Sequence, residues 1–242
     1  MEPETALAIT VLFALPDEAR AFQANALSKE VRVGVSGMGA EKAKRAVESL
    51  FSNPTGQELL LVCGFAGGLK DGLAVGSIIL VESVLSSEAP YAALNIDDPI
   101  LKIREGWGVK SVTGSLVSVP SVLTSSEEKR ACAERTGAIA VDMETFSAVK
   151  TAQALGVRCL AIRVITDGVN DALPLDFNAF SNAQGEPDRG KIIAHVLLHP
   201  RKVPALIRLG GRSSKAAKNL SSFLCALIVA DALMESHAEK HF

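Results

Sequence analysis

The sequence predicts an α/β fold with a largely parallel or mixed central sheet, and three observations carry that prediction. Short apolar runs recur along the chain, stretches of helix-forming residues alternate with them, and Gly-containing turns separate the two. The composition agrees. Hydrophobic residues make up 48% of the chain and aromatics only 5%, so the core must be mainly Val, Ile, Leu and Ala, which suits a sheet buried on both faces. A chain of 242 residues is long for an average domain but normal for a single α/β domain. We therefore expect one domain over residues 1–242, with residues 185–242 as a helical C-terminal extension.

The elements follow in order. Leu7–Leu15 (LAITVLFAL) is a continuous apolar run of strand length, and Asp17–Ala26 follows with helix formers. Val31–Ser36 is a second strand ending in SGMGAEKA, whose glycines turn the chain into a helix over Glu41–Phe51. Leu59–Val62 is apolar and is closed by GFAGG at Gly64–Gly68. Val75–Val84 is a strand with a polar exit. Residues 86–112, rich in Pro, Asp and Gly, are irregular. Thr113–Val119 is a strand, and Ser125–Thr136 is a helix announced by SSEEKRA. Ala138–Val141 is short and apolar, and Asp142 caps a helix over Met143–Leu155. Arg158–Ile165 (RCLAIRVI) is a strand bounded by Gly156 and by TDG. Beyond Asp171, LPLDFNAFSNAQGEPDRG is a loop, and three helices are expected at Gly190–Leu198, Pro200–Gly210 and Ser213 to about Met234.

Several function classes are disfavoured at this level. With 25 basic and 27 acidic residues the formal charge is −2, and no basic block is present, so nucleic-acid binding is not expected. Cys63, Cys132, Cys159 and Cys225 lie far apart with no CxxC, which favours reduced thiols in a cytoplasmic protein over a zinc site or disulfides. MEPET lacks the basic region of a signal peptide. Phe223–Met234 is shorter than the ~20 residues a membrane span needs and is interrupted by Asp231, so it reads as a buried or interfacial helix. Peripheral membrane contact is left open. The four histidines, His195, His199, His237 and His241, all lie in the C-terminal extension, which argues against a His-based site in the sheet. No metal ligand set is expected.

Ligands of open α/β sheets sit at the carboxyl ends of strands, and several such ends carry suggestive residues. Asp167 follows an apolar strand and precedes Gly168. It is either an ordinary turn residue or an acid whose desolvation raises its pKa so that it donates a proton. Arg163, four residues earlier, either orients a neighbouring carboxylate or is a plain strand-edge charge. Glu144 falls in the first turn after Asp142, where the helix dipole alone explains an acid, but a carboxylate also accepts two hydrogen bonds from vicinal sugar hydroxyls. In PDEAR, Glu18 is a candidate base for water and Arg20 a candidate phosphate ligand, or both are solvated helix residues. The clusters Gly37–Gly39 and Gly64–Gly68 are tight turns or anion cradles. Neither fits GxGxxG, and no GxxxxGK[ST] occurs.

Taken together, PDEAR, SGMGAEKA, GFAGGLKDGLAVGSII, VDMETFSAV and AIRVITDGVND occur in an order that resembles the nucleoside phosphorylase and methylthioadenosine/S-adenosylhomocysteine nucleosidase superfamily, over roughly residues 7–172. The resemblance implies a three-layer αβα phosphorylase-like fold with a mixed central sheet. It implies that Asp167 protonates or hydrogen-bonds the purine N7, that Glu144, with Met143 before it, binds the ribose hydroxyls, and that Glu18 activates water. The backbone at Gly67 would approach the sugar or the nucleophile, and Val117 and Ser118 would lie against the base. Homo-oligomerisation is implied, and no cofactor, with inorganic phosphate as co-substrate if the enzyme is phosphorolytic. The C-terminal part, DFNAFSNAQGEPDRG and HPRKVPALIRLGGRSSKAAKNL, is similar to the hopanoid-associated branch, which implies adenosylhopane as substrate and adenine as product.

Two departures bear on the nucleophile. Phosphorolytic relatives often carry an Arg before the third-strand glycines and a Ser or Thr among them; Val62 and Phe65 stand at those places here. Arg20 and Gly39 still fit a phosphate site, so phosphorolysis is the alternative to hydrolysis. A non-catalytic nucleoside-binding module is the reading from outside enzymology. The apolar stripe Leu220, Leu224, Leu227 and Ile228 is expected to be core or subunit interface.

Overall fold

The computed structural model describes residues 8–25, 27, 31–88, 92–96, 111–175, 179 and 203–238, with side chains of the last helix to residue 229. The described residues form eight strands and five main helices. In chain order they are β1 (Ala8–Phe13), α1 (Pro16–Gln23), β2 (Arg32–Val35), α2 (Ala40–Leu50), β3 (Glu58–Gly68), β4 (Ile78–Ser86), β5 (Ala93–Asn95), β6 (Ser111–Ser118), α3 (Ser126–Thr136), β7 (Ala140–Asp142), α4 (Thr145–Ala154), β8 (Arg158–Asp167) and α5 (Val203–Ala238).

The sheet is mixed, with strand order β2-β1-β3-β7-β6-β4-β5. β8 lies off that path, parallel to β3 and antiparallel to β4. The pairings β3–β7–β6–β4–β8–β3 therefore return to their starting strand, and part of the sheet closes on itself. β3 and β8 are buried along nearly their whole length, which is why both read as unbroken apolar runs. α5 packs on β3, β4, β8 and α1, while α4 packs on β3, β4, β8 and α2.

The elements extend further than expected in three places. GFAGG does not turn the chain but continues β3 to Gly68, where Gly67 pairs with Val141 of β7 and Asp167 of β8. A Cβ at Gly64 would come within 2.9 Å of Glu18 Oε1 and also clash with the Arg163 guanidinium, so the glycine leaves room for buried charge, not for a turn. β8 likewise runs to Asp167. The two helices expected from Pro200 onward are one helix over its described length, which continues through Gly210 and Gly211. The helix expected at Gly190–Leu198 and most of the loop before it lie outside the described residues, as do His195, His199 and His241.

The stripe Leu220, Leu224, Leu227 and Ile228 enters the main core with Phe223. Its i, i+4, i+7 spacing puts these side chains on one face, and burying each stabilises the fold by ~1.5–3 kcal/mol. Among the described residues no helix is long and apolar enough to cross a membrane.

Candidate active site

The carboxyl ends of β1, β2, β3, β6, β7 and β8, or the segments that follow them, converge on a cavity of about 810 Å³. Its charged wall is made by Glu18, Asp142, Glu144, Asp167 and Lys129. Phe65, Ala66, Gly67, Val119, Val141 and Met143 form an apolar surface beside it. Leu206, Leu209 and Ala217 of α5 close the side where Leu15, Ala21 and Ala24 bring in α1.

Glu18 is the third residue of α1, and its position is set by the helix start. Oε2 accepts the N–H groups of Ala14 and Leu15 at 2.9 and 2.8 Å, as a capping carboxylate does, and Pro16 supplies the fixed φ of the first turn. Oε1 takes the N–H of Phe65 on β3 at 2.9 Å. The side chain is buried, and desolvation pushes its carboxyl above the ordinary value; the Arg163 guanidinium and the three backbone donors oppose that shift.

Glu144 does not sit in the first helical turn. Met143 and Glu144 precede α4, which starts two residues later than expected, and Glu144 is its capping residue. The reason lies in Asp142, which ends β7 and accepts Thr145 N–H at 3.0 Å, so the helix begins only after that contact. Glu144 Oε1 accepts the N–H of Gly39 at 2.7 Å. Gly39 holds φ at 97°, a conformation open to glycine. Its N–H is thus engaged by a carboxylate, where the phosphate reading needed it for an anion. Burial, together with Asp142, raises the Glu144 carboxyl to about 7, against the pull of Arg163 and the Gly39 N–H.

Arg163 is neither a strand-edge charge nor part of the cavity wall. It lies in the centre of β8 with 1% of its side chain exposed and pairs with Asp142 Oδ2 at 2.6 Å. Its Nε and Nη2 both donate to Thr145 Oγ1, at 3.0 and 2.7 Å. Nη1 is buried without a hydrogen-bond partner, on the side where Glu18 approaches Gly64. Val117 and Ser118, expected against the base, do not line the cavity. Val117 is fully buried in a small cluster with Leu69 and Val141, and Ser118 Oγ bridges Asp142 Oδ1, at 2.6 Å, and Phe146 N–H. Val119, the next residue, forms the wall in their place. Arg20 stands at the mouth, 75% exposed and paired with Asp17.

Asp167 ends β8, where the register skips one residue opposite Ala66 and Gly67. Successive strand residues normally face opposite sides; the irregularity lets both Thr166 and Asp167 face the cavity. Thr166 Oγ1 donates to Asp167 Oδ1 at 2.8 Å, and the Lys129 ammonium donates to Oδ2. The sequence leaves Asp167 as a turn residue or as a desolvated acid ending an apolar strand. The structure adds a buried cation beside it. Lys129 was missed because lysine is seldom buried and α3 reads as a solvated helix. The available signal was position: Lys129 and Cys132, three apart, are the buried residues of that helix.

Among the described residues no cluster of His, Cys, Asp and Glu is arranged to hold a metal ion.

A model of the phosphorylase superfamily matches residues 16–197. The chain is similar to two curated 5′-methylthioadenosine/S-adenosylhomocysteine nucleosidases. That of Baumannia cicadellinicola subsp. Homalodisca coagulata is 29% identical over 158 residues, 57% of this chain and 69% of that protein. That of Staphylococcus epidermidis is 26% identical over 173 residues, 63% of this chain and 75% of that protein. Among solved structures, a futalosine hydrolase mutant of Helicobacter pylori superposes with a TM-score of 0.70 at 14% identity, covering 93% of this chain and all of that one. The 5′-methylthioadenosine/S-adenosylhomocysteine nucleosidase of the same organism, with butyl-thio-DADMe-Immucillin-A, superposes with a TM-score of 0.69 at 16% identity, covering 94% and 100%. At such identities the structural likeness concerns the fold.

Proposed function

The chain belongs to the phosphorylase superfamily, and from that premise we propose that it is an enzyme that hydrolyses the N-glycosidic bond of a purine nucleoside. One observation carries the reading: Glu18 and Asp167 meet the same cavity at two points of one strand, Phe65 and Gly67. A candidate base for water and a candidate acid for the leaving group that open on one cavity are what hydrolysis with protonation of the departing base requires.

The steps balance with these groups and water alone. The C1′–N9 bond breaks and its electron pair stays with the purine, whose N7 takes a proton from Asp167. Water adds its oxygen to C1′ and loses a proton to Glu18. The ribosyl centre is positive in between, and the carboxylates of Glu18, Asp142 and Glu144 surround its place with negative charge. Glu144 accepts hydrogen bonds from the ribose hydroxyls. Arg163 lies behind the cavity wall and acts on the site only through its ion pair with Asp142. No step calls for a metal or organic cofactor.

Hydrolysis is favoured over phosphorolysis because the phosphate candidates are engaged elsewhere. Arg20 is exposed and paired with Asp17, and the Gly39 N–H is bound to Glu144. For the 5′ substituent we favour an apolar group, and with it the hopanoid-linked adenosine that the C-terminal resemblance implies. The support is the wall of Leu206, Leu209, Ala217, Leu15 and Ala21, in a cavity near the top of the ~300–1,000 Å³ range of small-molecule pockets.

The test is chromatographic detection of released adenine from adenosine, methylthioadenosine and a lipid-linked adenosine, with and without phosphate. We expect release without phosphate, fastest from the lipid-linked substrate. Release that requires phosphate contradicts hydrolysis, and equal turnover of all three contradicts the apolar specialisation.

A further inference from the structure

Lys129 lines the cavity yet has nothing to offer a substrate. Its ammonium has 1% of the side chain exposed and carries three N–H donors. Three acceptors meet them: Asp167 Oδ2, the Gly168 carbonyl at 3.0 Å and the Asp171 carbonyl at 2.8 Å. Burying an unpaired ammonium is strongly unfavourable, so the side chain is tied to the place where these three acceptors meet.

The acceptors form one unit. Residues 168–171 are a tight turn in which the Asp171 carboxylate takes the Gly168 N–H at 2.9 Å. The same carboxylate pairs with Arg212 of α5 at 2.9 Å. A line of contacts thus runs from Lys129 through the turn to the helix that closes the cavity. With Lys129 on Oδ2 and Thr166 on Oδ1, each oxygen of Asp167 holds a donor, and the plane of its carboxyl group is fixed.

Resting on the reading of Asp167 as the acid for the departing base, we propose that Lys129 is the positioning residue of that acid. It reaches no substrate. It orients the Asp167 carboxyl toward the purine and keys it to the turn that α5 holds through Arg212. Without it the cavity still binds a nucleoside, but the acid no longer points at N7.

The test compares two leaving groups. A purine needs protonation to depart, whereas p-nitrophenolate leaves p-nitrophenyl riboside without it. Lys129→Met is expected to lower kcat for adenosine by ~100-fold or more, with KM and p-nitrophenyl riboside turnover changed by no more than about threefold. Asp167→Asn should show the same discrimination, and Lys129→Arg should recover part of the loss. Arg212→Met perturbs the turn from its far end without exposing a buried charge, and serves if Lys129→Met does not fold; a loss of about 3–10-fold on adenosine alone is expected. Equal losses on both substrates, or no loss on adenosine, in folded protein overturns the positioning role while leaving the hydrolase reading intact. Wild-type protein that releases base from no nucleoside overturns the hydrolase reading, and this inference with it.

Discussion

The cavity is charged at two ends, and the Arg163 end and the Lys129 end are built in opposite ways. At the first, three carboxylates, Glu18, Asp142 and Glu144, share one guanidinium. Negative charge is in excess there, and burial raises the Glu144 carboxyl to about 7. At the second, one carboxylate faces one ammonium whose three donors are all met. On the proposed reading, the first arrangement is relieved by a cation, which is what a ribosyl centre becomes as its base departs. The second holds a single acid still. On the proposed reading, stabilising the sugar and releasing the base fall to separate side chains.

The largest expected effect tests the balanced end. Asp167→Asn should lower kcat on adenosine by ~10²–10⁴-fold with KM little changed, read from steady-state kinetics. An unchanged purine affinity with no turnover in the wild type would instead favour a binding module. At the other end, Arg163→Met leaves three carboxylates without their cation. It should cost ~3–5 kcal/mol of stability, measured by urea unfolding. A loss below about 1 kcal/mol would mean that the carboxylates do not depend on it.

Glu144→Gln separates function from stability at the crowded end. The folded-state carboxyl is raised from its ordinary 4.5 to about 7, so between those values the folded protein holds more protons than the unfolded chain. Stability therefore falls as pH rises through that window and is flat above it. The variant should show a shallower fall, not a flat profile, because the Glu18 carboxyl is raised as well. It should also lose ribose affinity, seen as a KM higher by roughly tenfold. In the wild type, KM should rise as pH drops below about 7, when Glu144 takes up a proton. The smallest effect is expected between the two ends. A Cβ at Gly67 would lie 3.1 Å from Val141 Cγ1 and 3.4 Å from Asp167 Oδ2. Gly67→Ala should raise KM about 3–10-fold by crowding the sugar and base, with a stability change within about 1 kcal/mol.

Much of this was legible in the sequence, and the parts that were not have physical reasons. Local periodicity gives β1, β3, β4, β6 and β8 and the cap of α3, because each depends on neighbours in the chain. The closure of the sheet through β8 depends on pairing between distant strands and leaves no local trace. GFAGG reads as a turn, since the reason for its glycines, buried charge and close strands, is long-range. Asp142 reads as a cap, which it partly is, but its pairing with Arg163 and Ser118 needs three elements brought together. Glu18, Glu144 and Asp167 stand out by their order along the chain. Lys129 does not, because only the fold turns a lysine of a polar helix inward.

On the proposed function, water and not phosphate takes the ribosyl group. The most direct test is mass spectrometry of the sugar released from adenosine in phosphate-free buffer made with heavy-oxygen water. Free ribose carrying one heavy oxygen at C1′, released together with adenine, is the expected product. Adenine release only on adding phosphate, with ribose 1-phosphate as the sugar product, would contradict hydrolysis.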